Sequence, residues 1–176
     1  MKSLKKLVSN AILATSLLFA SSFAANAVVI TQDIIVDGFT FGTIEVELTQ
    51  TLANSGDIVD SGFDSGISLF SIELFGLPTP AFTQFDFQVA IDTADLSAGI
   101  EFFALDVQEN GFDDWSYQFI FDTFDPFGNF IDIFSPAGFV FFSADVQLGE
   151  ARVSAPATIA LLTLAIGGVL LRRQRK

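Results

Sequence analysis

The sequence predicts an all-β chain, built as a single antiparallel β-sandwich domain of the jelly-roll kind. An N-terminal signal helix and a C-terminal transmembrane helix flank it. Three observations predict this. Apolar and polar residues alternate with period two through most of the chain, as they must where one strand face is buried and the other wet. Clusters of Gly, Pro, Asn and Asp punctuate the alternating runs. All eight basic residues lie at the two ends beside apolar stretches, whereas all 21 acidic residues fall between Asp33 and Glu150.

Taken in order, the strand candidates begin with Val28–Val36, Phe39–Leu48 and Ile67–Phe75. Phe85, Phe87, Val89 and Ile91 then alternate with Asp86, Gln88, Ala90 and Asp92. Ile100–Val107 follows, and Trp115, Tyr117, Phe119 and Phe121 alternate with Ser116, Gln118, Ile120 and Asp122. Phe139–Leu148 closes the series. Phe, Val and Ile suit a pleated, half-buried surface, and no helical period persists beyond a turn or two. Asp37-Gly38, Asn54-Ser55-Gly56-Asp57, Pro78-Thr79-Pro80, Asn110-Gly111, Asp125–Asn129 and Ser135-Pro136-Ala137-Gly138 supply the turns. Seven or eight short strands joined by polar turns imply a sandwich. The Phe-x-Phe pairs recur at no fixed spacing, which argues against a repeat architecture.

The 124 residues from Val28 to Ala151 are enough for one domain with its own core. Twenty of the 22 Phe lie there, far too apolar a content for a disordered acidic tail. The chain has no Cys, so packing and not covalent staples must hold the domain together. Arg152 and its neighbours read as a very short linker to the C-terminal segment.

Residues 1–27 have the three parts of a secretory signal. Lys2, Lys5 and Lys6 precede an apolar stretch from Leu7 to Phe23, and Ala25-Asn26-Ala27 places small side chains at the positions a signal peptidase accepts. Cleavage is expected after Ala27; the alternative is an uncleaved anchor, against which the small-x-small triplet speaks. At the other end, Ala155 to Leu171 is a run of 17 apolar-rich residues, at the short limit for a membrane helix. Arg172, Arg173, Arg175 and Lys176 follow as a cytoplasmic stop. Together these features predict a domain outside the inner membrane with its basic tail inside.

Val153-Ser154-Ala155-Pro156-Ala157-Thr158, then a Leu/Ala/Gly-rich helix and an Arg-rich end, resembles the PEP-CTERM sorting tail of Gram-negative bacteria. Val153, Pro156, Ala157 and Thr158 match that pattern, whereas Ser154 and Ala155 stand where it has Pro-Glu. The resemblance covers residues 152–176 and says nothing about the domain. It implies an exosortase as the processing enzyme, beside signal peptidase. It also implies passage from the inner membrane and periplasm to the cell surface or the extracellular exopolysaccharide matrix.

The domain itself points away from catalysis. The chain has no His, and between Val28 and Ala151 it has no Lys and no Cys, so a serine nucleophile would lack an ordinary activating base. A surface without cations repels nucleic acid. Paired carboxylates are all that glycoside hydrolysis needs, but 21 acids make such pairs by accident. No enzyme activity and no cofactor are expected, with one alternative. Asp57, Asp60 and Asp64 lie in a Gly/Ser-rich loop whose oxygens can converge on Ca2+, and Asn110, Asp113 and Asp114 form a second cluster. Trp115 with Tyr117 can stack on a sugar ring, although Phe119 and Phe121 continue the same face and place it inward. The expected role is therefore a non-catalytic surface or matrix protein; the alternative is a calcium- or carbohydrate-binding module on an uncleaved anchor.

Overall fold

The computed structural model describes residues 27–111 and 114–154. The expected flanking helices, Ala25, the residues from Ala155 to Thr158, and the expected basic stop at Arg172, Arg173, Arg175 and Lys176 lie outside them. Among the described residues no helix is long and apolar enough to cross a membrane.

The alternating runs form strands. They are β1 (Ala27–Val36), β2 (Phe39–Thr49), β3 (Ile58–Asp60), β4 (Ile67–Leu74), β5 (Leu77–Pro78) and β6 (Phe82–Asp92). Then come β7 (Ile100–Glu109), β8 (Ser116–Asp122), β9 (Phe130–Ser135), β10 (Gly138–Ser143), β11 (Val146–Leu148) and β12 (Arg152–Ser154). A single helical turn, α1 (Gln50–Ala53), follows β2. All registered pairings are antiparallel, in two six-stranded sheets. The first has the order β11-β1-β2-β4-β5 with β12 also on β1, and the second has the order β10-β9-β8-β7-β6-β3.

The inward faces share one core. Ile30, Ile34, Ile44, Leu48, Ile72 and Leu74 of the first sheet are buried with Val89, Ile91, Phe103, Phe119 and Ile131 of the second. Phe41 meets Phe119 with ring centroids 5.9 Å apart, and Phe75 meets Tyr117 at 5.9 Å, so aromatic edges join the sheets. Fully burying such a side chain contributes about 1.5–3 kcal/mol, which is where the fold's stability resides. Gln32 of β1 bonds the start of β7 and Asp37, just past β1, bonds the end of β10, so β1 passes across the ends of the second sheet.

Five differences from the sequence-based expectation stand out. The expected jelly roll needs two Greek keys, but β6 to β10 lie side by side in chain order, a meander. Phe139–Leu148 is not one strand: Ser143 and Asp145 bond the Asp37 turn, and the chain leaves the second sheet as β10 to enter the first as β11. Phe130–Ser135 is a strand that the expected series omits, with Ile131 and Ile133 inward. A register shift between Gln84 and Asp86 turns Phe85 out of its expected phase, leaving it 62% exposed. Arg152–Ser154 is no linker but the strand β12, and the compact unit runs from Val28 to Ser154.

Candidate functional site

The two ends of the domain meet on one strand. β1 starts at Ala27, the expected signal cleavage residue, and β12 ends at Ser154, the second residue of the tail motif. They pair antiparallel, Val29 with Ser154, Ile30 with Val153 and Thr31 with Arg152. β11 pairs with the later half of β1, Ile34 with Leu148 and Val36 with Val146. The Gly149 N–H donates to the Asp33 carbonyl at 2.8 Å, so the last nine residues of the unit follow β1 almost continuously.

Two side chains fix this junction. Arg152 donates to both carboxylate oxygens of Asp33, at 3.3 and 2.8 Å. It is the only base between Val28 and Ser154, so this is the one ion pair among the described residues. The Arg152 hydrogen bond holds the Asp33 carboxyl below the usual carboxylate range. Gln32 sits in the inward phase of β1 and is 3% exposed. Its amide donates to the Gly149 carbonyl at 2.8 Å and accepts from the Ile100 N–H at 2.8 Å, tying the terminal segment to the second sheet. Gly99 passes so close that a Cβ there would lie 2.5 Å from the Gln32 side chain, and its φ of +87° favours glycine independently.

The candidate calcium loop is arranged differently from expectation. Asp60 accepts from the Gly62 N–H at 2.6 Å and from Gln88 at 3.2 Å, and Asp64 accepts from the Asp60 N–H at 2.9 Å. Asp57 is held through its backbone by the Thr93 hydroxyl. The turn thus brings Asp60 and Asp64 together on internal donors. Among the described residues no three acidic groups converge as metal ligands. In the second cluster, Asn110 bonds Thr83 and Asp114 is exposed, while Asp113 lies outside the described residues.

The aromatic face of β8 points inward. Tyr117 is 2% exposed, Phe119 is buried, and Trp115 and Phe121 pack partly buried against the core. The Tyr117 hydroxyl donates to the Glu109 carboxylate. Burial, then that hydrogen bond, pushes the phenol above its usual range. Neither ring pairs as an open platform for a sugar.

One cleft opens beside the crossover from β10 to β11. It holds about 350 Å3 and is lined by Phe121, Asp122, Asn129, Asp145, Val146 and Gln147 among others. Its polar groups are internally engaged: Asn129 accepts from the Asp122 N–H at 2.7 Å, Asp122 from the Phe124 N–H at 2.7 Å, and Asp145 from Gln147 at 2.8 Å.

Two features lie outside the sequence-based expectations. Gln32 carries a legible sign, as a polar residue in the buried phase of β1 between Ile30 and Ile34. The exposed aromatics of β10 carry a subtler one, because Phe139 and Phe142 are three apart and share a strand face only across a bulge. Comparison with protein-family models, with curated proteins and with solved structures finds no match to this chain.

Proposed function

We propose that this chain is an exported, non-catalytic protein of the bacterial surface or extracellular matrix. A signal peptide routes it outward, and a C-terminal tail of the PEP-CTERM type holds it at the inner membrane until an exosortase acts. In this reading a β-sandwich domain is displayed between a signal helix and a transmembrane helix, and the processed protein joins the exopolysaccharide layer. The observation that carries it is the extent of the folded unit. Val28–Ser154 runs from the expected signal cleavage site into the first two residues of the expected tail motif, and its end strands are partners. A domain bounded in this way survives removal of both flanking segments with its core intact.

The test is the intact mass of the protein isolated from its native host, in membrane and released fractions separately. A released species running from Val28 to a new end just beyond Ser154 supports the reading. A species retaining Lys176 and found only in the membrane overturns it.

A further inference from the structure

The C-terminal segment of the folded unit is held in two unequal parts. Its root at Gly149 is firm. Gly149 donates its N–H to the Asp33 carbonyl at 2.8 Å, and its own carbonyl accepts from buried Gln32. Beyond that point Arg152, Val153 and Ser154 of β12 are all exposed. Even Val153, whose partner Ile30 points inward, is 39% exposed, so β12 lies at the rim of the core and buries little. A short, solvent-exposed ladder of this kind opens locally at far lower cost than the core strands.

What holds β12 is its ladder with β1 and two side chains. The Ser154 hydroxyl donates to the Val29 carbonyl at 3.3 Å, and Arg152 grips Asp33 at 2.8 Å. Glu45 of β2 and Glu150 lie near enough to attract the same guanidinium. Arg152 is thus one cation among three carboxylates, and without it they repel one another across β1, β2 and the terminal segment.

We propose that β12 is a releasable latch on the tail: Glu150–Ser154 must leave β1 to admit the processing protease, and Arg152 opposes that opening. The inference rests on reading residues 152–176 as a cleavable sorting tail. A protease acts on chain that has left its ladder, and its rate follows the population of the open form. The ladder occupies the residues up to Ser154, and the apolar run begins at the next residue, Ala155. No residue lies between the two, so the closed latch leaves a protease no free chain on the domain side of Ala155. Detaching Glu150–Ser154 supplies about 16 Å of extended chain, at roughly 3.3 Å for each residue. Gly149 and Gln32 stay in place meanwhile, so the core is not disturbed. After the cut the segment returns to β1, and the released domain regains its terminal strand.

The test uses the full chain in its native host, with release followed by intact mass after a pulse of label. Thr31 and Arg152 are direct partners in the ladder. The spacing of such partners, about 4.5–5.5 Å, suits a disulfide. The natural chain has no cysteine to interfere. Thr31→Cys combined with Arg152→Cys therefore locks β12 when oxidised. The locked chain is expected to keep Lys176 and stay in the membrane fraction. Dithiothreitol is expected to restore its release, which also shows that the variant is folded. Arg152→Glu is expected to be released about threefold faster or more, the scale of an exposed ion pair lost and replaced by repulsion. Thr31→Cys alone should behave as the unaltered chain. A locked chain released at the unaltered rate overturns the proposal, and so does an Arg152→Glu chain released no faster. A cysteine pair that never closes in the oxidising periplasm also overturns it, because Thr31 and Arg152 are then not partners. An unaltered chain that keeps Lys176 in every fraction overturns the tail reading first and the latch with it, an outcome separate from the others.

Discussion

Gln32 shows how one polar side chain can organise an apolar interface. Removing its amide leaves the Ile100 N–H and the Gly149 carbonyl buried without partners, at about 1–3 kcal/mol for each. Gln32→Leu is expected to lower the melting temperature by about 10 °C or more, read by thermal unfolding of the folded unit. Tyr117 offers a cleaner pH probe, because it is the single tyrosine of the chain. Its folded phenol is held well above the ordinary value of 10.0, so the folded state retains a proton that the unfolded state releases. Stability is therefore complete below pH 10 and declines as pH rises past it. Phenolate absorbance should appear only together with unfolding, and Tyr117→Phe should remove that part of the alkaline decline. A phenolate that forms in the folded protein near pH 10 would contradict the buried hydrogen bond. Glu101 has the same sign in the acid range. Desolvation first, then the nearby Asp92 charge, raises its carboxyl above the ordinary 4.5, and its Oε2 is buried without a hydrogen-bond partner. Glu101→Gln is expected to raise the melting temperature at neutral pH, with the gain shrinking as pH falls toward 4.5.

At the scale of elements, the pairing of β12 with β1 is the decisive arrangement. Backbone groups held in a ladder are poor protease substrates, because cleavage needs the chain to open first. The expected mature C-terminus therefore lies after Ser154, leaving Arg152–Ser154 on β1. A released species that ends before Arg152 would show that β12 does not protect its own segment. The Arg152–Asp33 pair is exposed, with side chains 57% and 36% accessible, so solvent screens it and its contribution is small. Its sign is clear nonetheless. The Asp33 carboxyl is held below the ordinary 3.8, so the pair contributes fully above that pH and is lost as pH falls through the lowered value. Bulges matter as much as ladders: the shift at Phe85 and the one in β10 expose Phe side chains that a regular alternation would have buried or separated.

For the molecule as a whole, charge and core act in opposition. The core joins both sheets through aromatic contacts, while 21 carboxylates repel one another with a single guanidinium among them. Salt shortens that repulsion from about 10 Å at 0.1 M to about 3 Å at 1 M. The melting temperature is expected to rise steadily between dilute buffer and seawater-like salt, and a flat profile would show that the carboxylates lie too far apart to matter. A salt-rich exterior is the setting in which such a domain is best stabilised.

Strand content, turn positions and the segregation of charge were determined by the sequence alone. Each is a property of neighbouring residues: side-chain period two belongs to the extended backbone, turn chemistry to Gly, Pro, Asn and Asp, and the segregation of charge to residue order itself. The same locality makes Val28–Val36 and the inward face of β8 legible from residue order alone. Tertiary structure decided the rest. Gln32 finds its two partners 68 and 117 residues away. Asp37 draws the end of β10 across to the first sheet from 106 residues away, splitting what reads as one strand. Such choices depend on which distant segment can satisfy a buried polar group, and no window of neighbouring residues contains that information.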